Sequence, residues 1–267
     1  MGKNPAWTWY IVWYFFVGGI AAGAYMLAAI ADLFGRDDDR PIAKFGYAIA
    51  FPLALLSAIL LTLDLGMPIR TLNMFRLFKL SSPMSVGSWA LLGFGLASFL
   101  SLSLLLRDRP GALRIRRLVA VPGGLLGFFI ASYTGVLLGA TNRPLWAGNN
   151  WIGPLFLVSA CSTGVAGLAL LLARETFPRL RRFHLIAIGA EGLLLIVFLA
   201  SLGSQAALFL SGSLAAFFWG GVVVAGLLLP VALSIAGRTR PLEAIAAILV
   251  LVGGFALRYL VISGGQT

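Results

Sequence analysis

Eight runs of about 20 apolar residues, joined by short connections, decide what this protein of 267 residues can become. They cover 9–33, 45–65, 86–106, 118–138, 151–173, 183–203, 212–236 and 242–262. A helix rising 1.5 Å per residue needs roughly 20 residues to cross a hydrocarbon layer of ~30 Å. No water reaches a peptide group there, so each run must satisfy its own backbone as a helix. Composition agrees: 60% of residues are hydrophobic and 11% charged, where a soluble domain carries about a quarter charged residues. The expected fold is an all-α integral membrane protein, an eight-transmembrane-helix bundle. It reads as a single transmembrane domain over 1–267, divisible into four-helix halves of about 1–140 and 141–267. The N-terminus reads as the first span: Lys3 stands alone before a run too long for a signal peptide.

The net charge of +11 would suit a nucleic-acid partner if the basic residues shared one face. They lie instead in the connections. Those after runs one, three, five and seven hold 14 of the 20 Lys and Arg residues. By the positive-inside rule this places both termini outside, in the periplasm of a two-membrane bacterium. Trp7, Trp9, Trp13, Trp89, Trp146 and Trp151 then fall at the outer interface, where amphipathic rings prefer to sit.

Cys161 is the only cysteine and His184 the only histidine. A membrane-embedded haem b ligated by two histidines, a four-cysteine cluster and a Cys/His zinc site are all excluded on ligand count. A disulfide within the protein is excluded as well. Any redox metal must sit on a partner.

The outer connection between runs two and three is basic against the topological trend. It carries Arg70, Arg76 and Lys79 interleaved with Leu72, Phe75 and Leu77. Such a pattern suits an amphipathic helix lying in the interface and a docking surface equally well. Gly19 and Gly23, Gly123 and Gly127, and Gly135 and Gly139 repeat at four-residue spacing and read as helix packing.

Ionisable groups inside apolar runs cost about 3 kcal/mol at the bilayer centre, so each needs a reason. Asp64 closes the second run, Arg258 lies about one turn from the outer end of the eighth, and Glu191 sits deepest. Arg258 is long enough to snorkel outward; facing Asp64, it would form a partly buried pair. Glu191 is too short to snorkel and should meet a cavity, a polar partner or a proton path. Asp32 and His184, near the inner interface, read first as solvated. Tyr133 falls in the outer third of run four, level with Asp64, and fits either the aromatic belt or a ligand carbonyl.

At these residues the sequence resembles the NrfD/PsrC family, the quinone-reactive membrane subunits of polysulfide reductase and related complexes. The resemblance spans nearly its whole length. It rests on GGIAAGAYMLA in run one, LDLGMPIR closing run two, SPMSVGSW opening run three, SYTGVLLGATNRPLW ending run four, and GGFALRYLVI in the last. It implies an eight-helix subunit of a bacterial or archaeal cytoplasmic membrane. Such a subunit exchanges electrons through bound menaquinone or ubiquinone with a ferredoxin-like iron–sulfur subunit docked outside, and beyond that with a catalytic, often molybdopterin, subunit. By the same resemblance Tyr133 contacts the quinone head group, Asp64 serves its protonation, and Arg258 matches a basic position of the last span. Arg70, Arg76, Lys79 and Arg143 become candidates for docking, and Glu191, His184 and Asp32 for a proton path from inside. Some family members add a polar contact from the first span, whereas Phe15 to Ala24 offers no polar side chain here.

Two other readings predict different things. A passive anchor would bind no quinone. A transporter should show Gly- or Pro-broken helices at the midplane of two repeats, whereas Pro52 and Pro230 lie nearer the ends of their runs.

Overall fold

The computed structural model describes residues 9–64, 78–79, 81–107, 111–172, 177–236 and 239–266. Among them, eight helices are long and apolar enough to cross a membrane. They are α1 (Trp9–Phe34), α2 (Arg40–Asp64), α3 (Pro83–Arg107), α4 (Ala112–Gly139), α5 (Ile152–Leu171), α6 (Phe177–Ser201), α7 (Ala215–Ala236) and α8 (Arg240–Gly264). No strand occurs among the described residues. The protein is a multi-pass integral membrane protein.

Several helices outrun their apolar runs, because such a run measures hydrocarbon thickness while the helix continues into polar surroundings. α2 begins at Arg40, behind a 3₁₀ turn, Asp37–Asp39, whose carboxylates complement the positive end of the helix dipole. The early start moves Pro52 to the middle of the 25-residue α2, not near an end as expected, and the helix runs through it unbroken. Pro230 does lie in the last two turns of α7. Within α7 the stretch Phe218–Leu228 is wound as π-helix. Gly226 there meets Gly253 of α8 so closely that a Cβ on Gly253 would stand 2.1 Å from the Gly226 Cα.

α1 is the central helix. Inside the bundle, 72% of its most apolar stretch is buried, against 22% for α7, and it packs on α2, α4, α5 and α8. Small residues make this possible. A Cβ on Gly23 would lie 2.0 Å from the carbonyl oxygen of Ala160, and one on Gly164 would lie 2.5 Å from the Gly23 carbonyl carbon, so α1 and α5 cross backbone to backbone. At one end of the bundle Trp9 stacks on Tyr259 with centroids 5.1 Å apart, which brings the start of α1 beside the end of α8. At the opposite end Arg240 caps α5. Its guanidinium donates to the carbonyls of Ala169 at 3.2 Å, Leu170 at 3.0 Å, and Leu172, where a cation suits the dipole.

Candidate functional site

The turn that opens α3 builds one wall of the candidate site. Ser82 precedes the helix and its hydroxyl accepts from the Ser85 amide at 3.4 Å, while Ser85 Oγ accepts from the Lys79 amide at 3.1 Å. Pro83 occupies the first helical position, where its missing N–H costs nothing. This fixes the Pro83 carbonyl, which receives the Tyr133 hydroxyl at 2.5 Å. The Tyr133 ring fits only because residue 87 is glycine: a Cβ there would fall 2.3 Å from its hydroxyl oxygen. Phe129, one turn earlier, stacks on the same ring at 5.2 Å. Tyr14 of α1, also buried, lies within electrostatic reach of Tyr133. Asp64 is half-buried at the same end of the bundle, as the last residue of α2.

A second polar group lies deeper. Arg258 is 1% exposed and Glu191 5%. Arg258 does not snorkel and does not pair with Asp64. Its Nε donates to the Phe15 carbonyl at 3.0 Å, and its Nη1 donates to Ser159 Oγ at 3.0 Å and to the Gly254 carbonyl at 2.8 Å. Phe16 and Phe156 present ring faces 5.9 and 5.5 Å from its Cζ. Gly19 leaves it room, since a Cβ there would stand 2.5 Å from Nη2. Glu191 accepts from Ser162 Oγ at 2.5 Å, and it interacts with both Ser159 and the charge of Arg258. Four helices thus meet in one network: α1 through a backbone carbonyl, α5 through two hydroxyls, α6 through the carboxylate and α8 through the guanidinium. Hydroxyls that bridge a carboxyl group and a guanidinium are how such groups become tolerable in a low dielectric.

A third group sits at the opposite end of α1. Arg116 of α4 grips Asp32 with two 2.6 Å bonds, and the Tyr47 hydroxyl donates to the same carboxylate at 3.2 Å. Arg117 Nε donates to the Asp32 carbonyl at 2.8 Å. Tyr25 packs edge-on to Tyr47 at 5.0 Å and shares a hydrogen bond of 2.8 Å with Ser101 of α3. Asp32 is therefore held among α2 and α4, not solvated as expected. His184 is also buried, and its Nδ1 has no hydrogen-bond partner among the described residues. It lies seven residues before Glu191 on α6, two turns or roughly 10 Å along the same face.

The family model described as "Polysulphide reductase, NrfD" matches residues 1–267. The protein belongs to the NrfD family. It is also 29% identical to the C subunit of the polysulfide reductase of Wolinella succinogenes over 306 aligned positions, which cover 99% of this sequence and 96% of that one.

In this NrfD-family protein the connection between α4 and α5 is anchored by one tryptophan. Trp146 is fully buried, not part of the aromatic belt as its position in the sequence suggested. Its Nε1 donates to the Val261 carbonyl at 2.7 Å, and residue 265 must lack a Cβ to admit the ring. Trp9, Trp13, Trp89 and Trp151 do stand exposed, and Trp7 lies outside the described residues. Trp146 folds the segment carrying Arg143 down onto the end of α8. Arg143 lines a depression of about 530 Å³ there, with Gln205, Leu208 and Gly264. Lys79 is exposed; Arg70, Arg76 and the basic stretch around them lie outside the described residues. Among the described residues no group of three or more His, Cys, Asp or Glu side chains could hold a metal ion.

Tyr14, Ser159 and Ser162 escaped the sequence reading. Tyr14 sits one residue before the apolar stretch in which a polar contact from α1 was sought. Ser159, Ser162 and Thr163 follow one another at helical three- and four-residue spacing inside an apolar run, a legible sign that one face of α5 is polar.

Proposed function

We propose that this protein is the quinone-reactive membrane subunit of a respiratory oxidoreductase of a bacterial or archaeal cytoplasmic membrane, with both termini outside. The observation that carries the reading is the buried Tyr133 hydroxyl, with Tyr14 within electrostatic reach and Asp64 at the same end of the bundle. A quinol is a two-electron, two-proton carrier that enters from the bilayer. The residues present fit its head group. Tyr133 has its own proton committed to Pro83 and so offers an acceptor to a quinol hydroxyl. Tyr14 offers a second hydroxyl, and Asp64, half-buried at the water interface, receives protons and passes them out. Electrons leave to a ferredoxin-like iron–sulfur subunit held by Lys79 and Arg143 together with Arg70 and Arg76. A catalytic subunit lies beyond it, and the relative from Wolinella, named as one part of a polysulfide reductase, supports such a complex.

The test is quinol-linked electron transfer in membranes holding the complex. Tyr133→Phe should lower the rate about 10- to 100-fold, the worth of one or two buried hydrogen bonds. Asp64→Asn should lower it about 100-fold or more, as expected for loss of a proton acceptor. Both should leave complex yield unchanged. Full rates in both variants would mean that the protein is a passive anchor.

Glu191 extends the proposal inward. It takes protons from the inner side by way of His184 and hands them outward along Ser162, Ser159 and the Arg258 end of the network. Asp32, given to Arg116, serves packing in this scheme. In sealed vesicles Glu191→Gln should keep electron transfer while lowering the number of protons moved per electron. An unchanged ratio removes Glu191 from the path.

A further inference from the structure

One cavity lies far from the tyrosine site, at the opposite end of the bundle. It occupies about 760 Å³ between the last two turns of α1, the start of α2 and the start of α6. Its walls are apolar, with Leu27, Ile30, Phe34, Ile42, Phe183 and Ile186 among them, and its polar side chains are Asp39 and Arg182. Phe34 is 82% and Ile186 69% exposed, so the cavity opens sideways through residues that face hydrocarbon in a membrane. Along α1, Leu27 stands seven residues from Phe34, roughly 10 Å deeper. Ile186 stands four residues from Arg182 on α6, roughly 6 Å deeper. The charged groups therefore mark the interface level, and the apolar walls run down from it into the bilayer.

Water does not fill a space with such walls, because it finds too few polar partners there. An acyl chain does. Formal charges of both signs at the mouth ask for a head group that carries both. A guanidinium forks onto phosphate oxygens, and a carboxylate receives an ammonium. Asp39 Oδ2 accepts the Arg36 amide at 2.9 Å, which orients the carboxylate at the mouth. A quinone head asks for something else, neutral donors held deep among apolar walls, and none of that kind lines this cavity.

We propose that this cavity is a binding site for one phosphatidylethanolamine molecule of the inner leaflet. Its phosphodiester meets Arg182, its ammonium meets Asp39, and one acyl chain lies along Leu27, Ile30 and Ile186. The lipid fills the space that α1, α2 and α6 leave between them at the basic end of the bundle. The site shares no residue with the proposed quinone site, so the two stand or fall separately.

The full-length protein, extracted in mild detergent and washed until bulk lipid is gone, is weighed by native mass spectrometry, and its extract is quantified by lipid class. About one phosphatidylethanolamine per protein is expected, with phosphatidylglycerol at least about tenfold lower. Arg182→Glu should reduce the retained lipid at least about tenfold through the head group. Ile186→Trp should do the same by filling the space. Both positions are exposed, and unchanged helix content in circular dichroism is expected for both. No stoichiometric lipid in the wild type, a preference for phosphatidylglycerol, or wild-type retention in either variant overturns the proposal. So does a photoreactive quinone that labels Phe183 in place of the lipid.

Discussion

Arg258→Met should destabilise the folded protein by about 3–5 kcal/mol, the range seen when one partner of a buried charge network is removed. Three acceptors on three helices lose their donor at once: the Phe15 carbonyl of α1, Ser159 of α5 and the Gly254 carbonyl of α8. Glu191, which interacts with the charge of Arg258, is left without that cation in an apolar interior. Removing the second charge should recover much of the loss, so Arg258→Met with Glu191→Gln should be at least about half restored, although each change alone is harmful. Arg258→Lys should rescue little, because one ammonium cannot reproduce the fork that serves a carbonyl through Nε and a hydroxyl and a second carbonyl through Nη1. Unfolding in mixed micelles measures Arg258→Met, Glu191→Gln, the double variant and Arg258→Lys against the wild type. A single variant within about 0.5 kcal/mol of the wild type, or a double variant as unstable as the sum of the singles, would show that the two charges are independent.

Gly23→Leu should yield almost no folded protein. The α1–α5 crossing has no room for even a Cβ, which would stand 2.0 Å from the Ala160 carbonyl oxygen; three more carbons force the helices apart along their whole contact. Because α1 also packs on α2, α4 and α8, the displacement cannot stay local. Gly189→Leu is the control, since a Cβ at that position meets nothing within 4 Å. The measurement is the yield of monodisperse protein after extraction. The Gly189 variant should match the wild type, and a Gly23 variant that also matched would mean that the crossing is looser than its geometry.

What the sequence made legible follows from what a bilayer constrains. Thickness sets the length of an apolar run, so eight spans could be counted directly. Depth follows from position along a run, so Tyr133 and Asp64 could be placed at one end of the bundle and Glu191 at depth. Azimuth could not be read. A helix that is apolar on every side carries little sign of which face meets a neighbour, and the partners of charged groups depend on that face. Arg258 shows the failure plainly. Its length permits snorkelling, but Gly19 and Ser159 offer it a place and partners inside, and neither follows from spacing along α8. Asp32 is another case, since its partner Arg116 lies in a stretch that reads as ordinary topological charge. Trp146 was assigned to the interface by its location between runs, and only the fold of its own connection brings it under the end of α8.

The bond between Arg258 and the Phe15 carbonyl joins residues 243 positions apart. At ribosomal rates of about 5–20 residues per second, α1 waits roughly 10–50 s in the bilayer before the group that completes its surroundings has been made. It is well suited to waiting. Its middle, from Gly18 to Ala24, carries only glycine, alanine and one isoleucine, with every peptide group bonded inside the helix and no side chain that needs a partner. The polar contribution of α1 to the buried network is a carbonyl, a group that is already satisfied by its own helix while lipid surrounds it. Keeping the charged side chains of this network on α6 and α8, the late helices, spares the middle of α1 from holding an unpaired charge in hydrocarbon for the whole of synthesis.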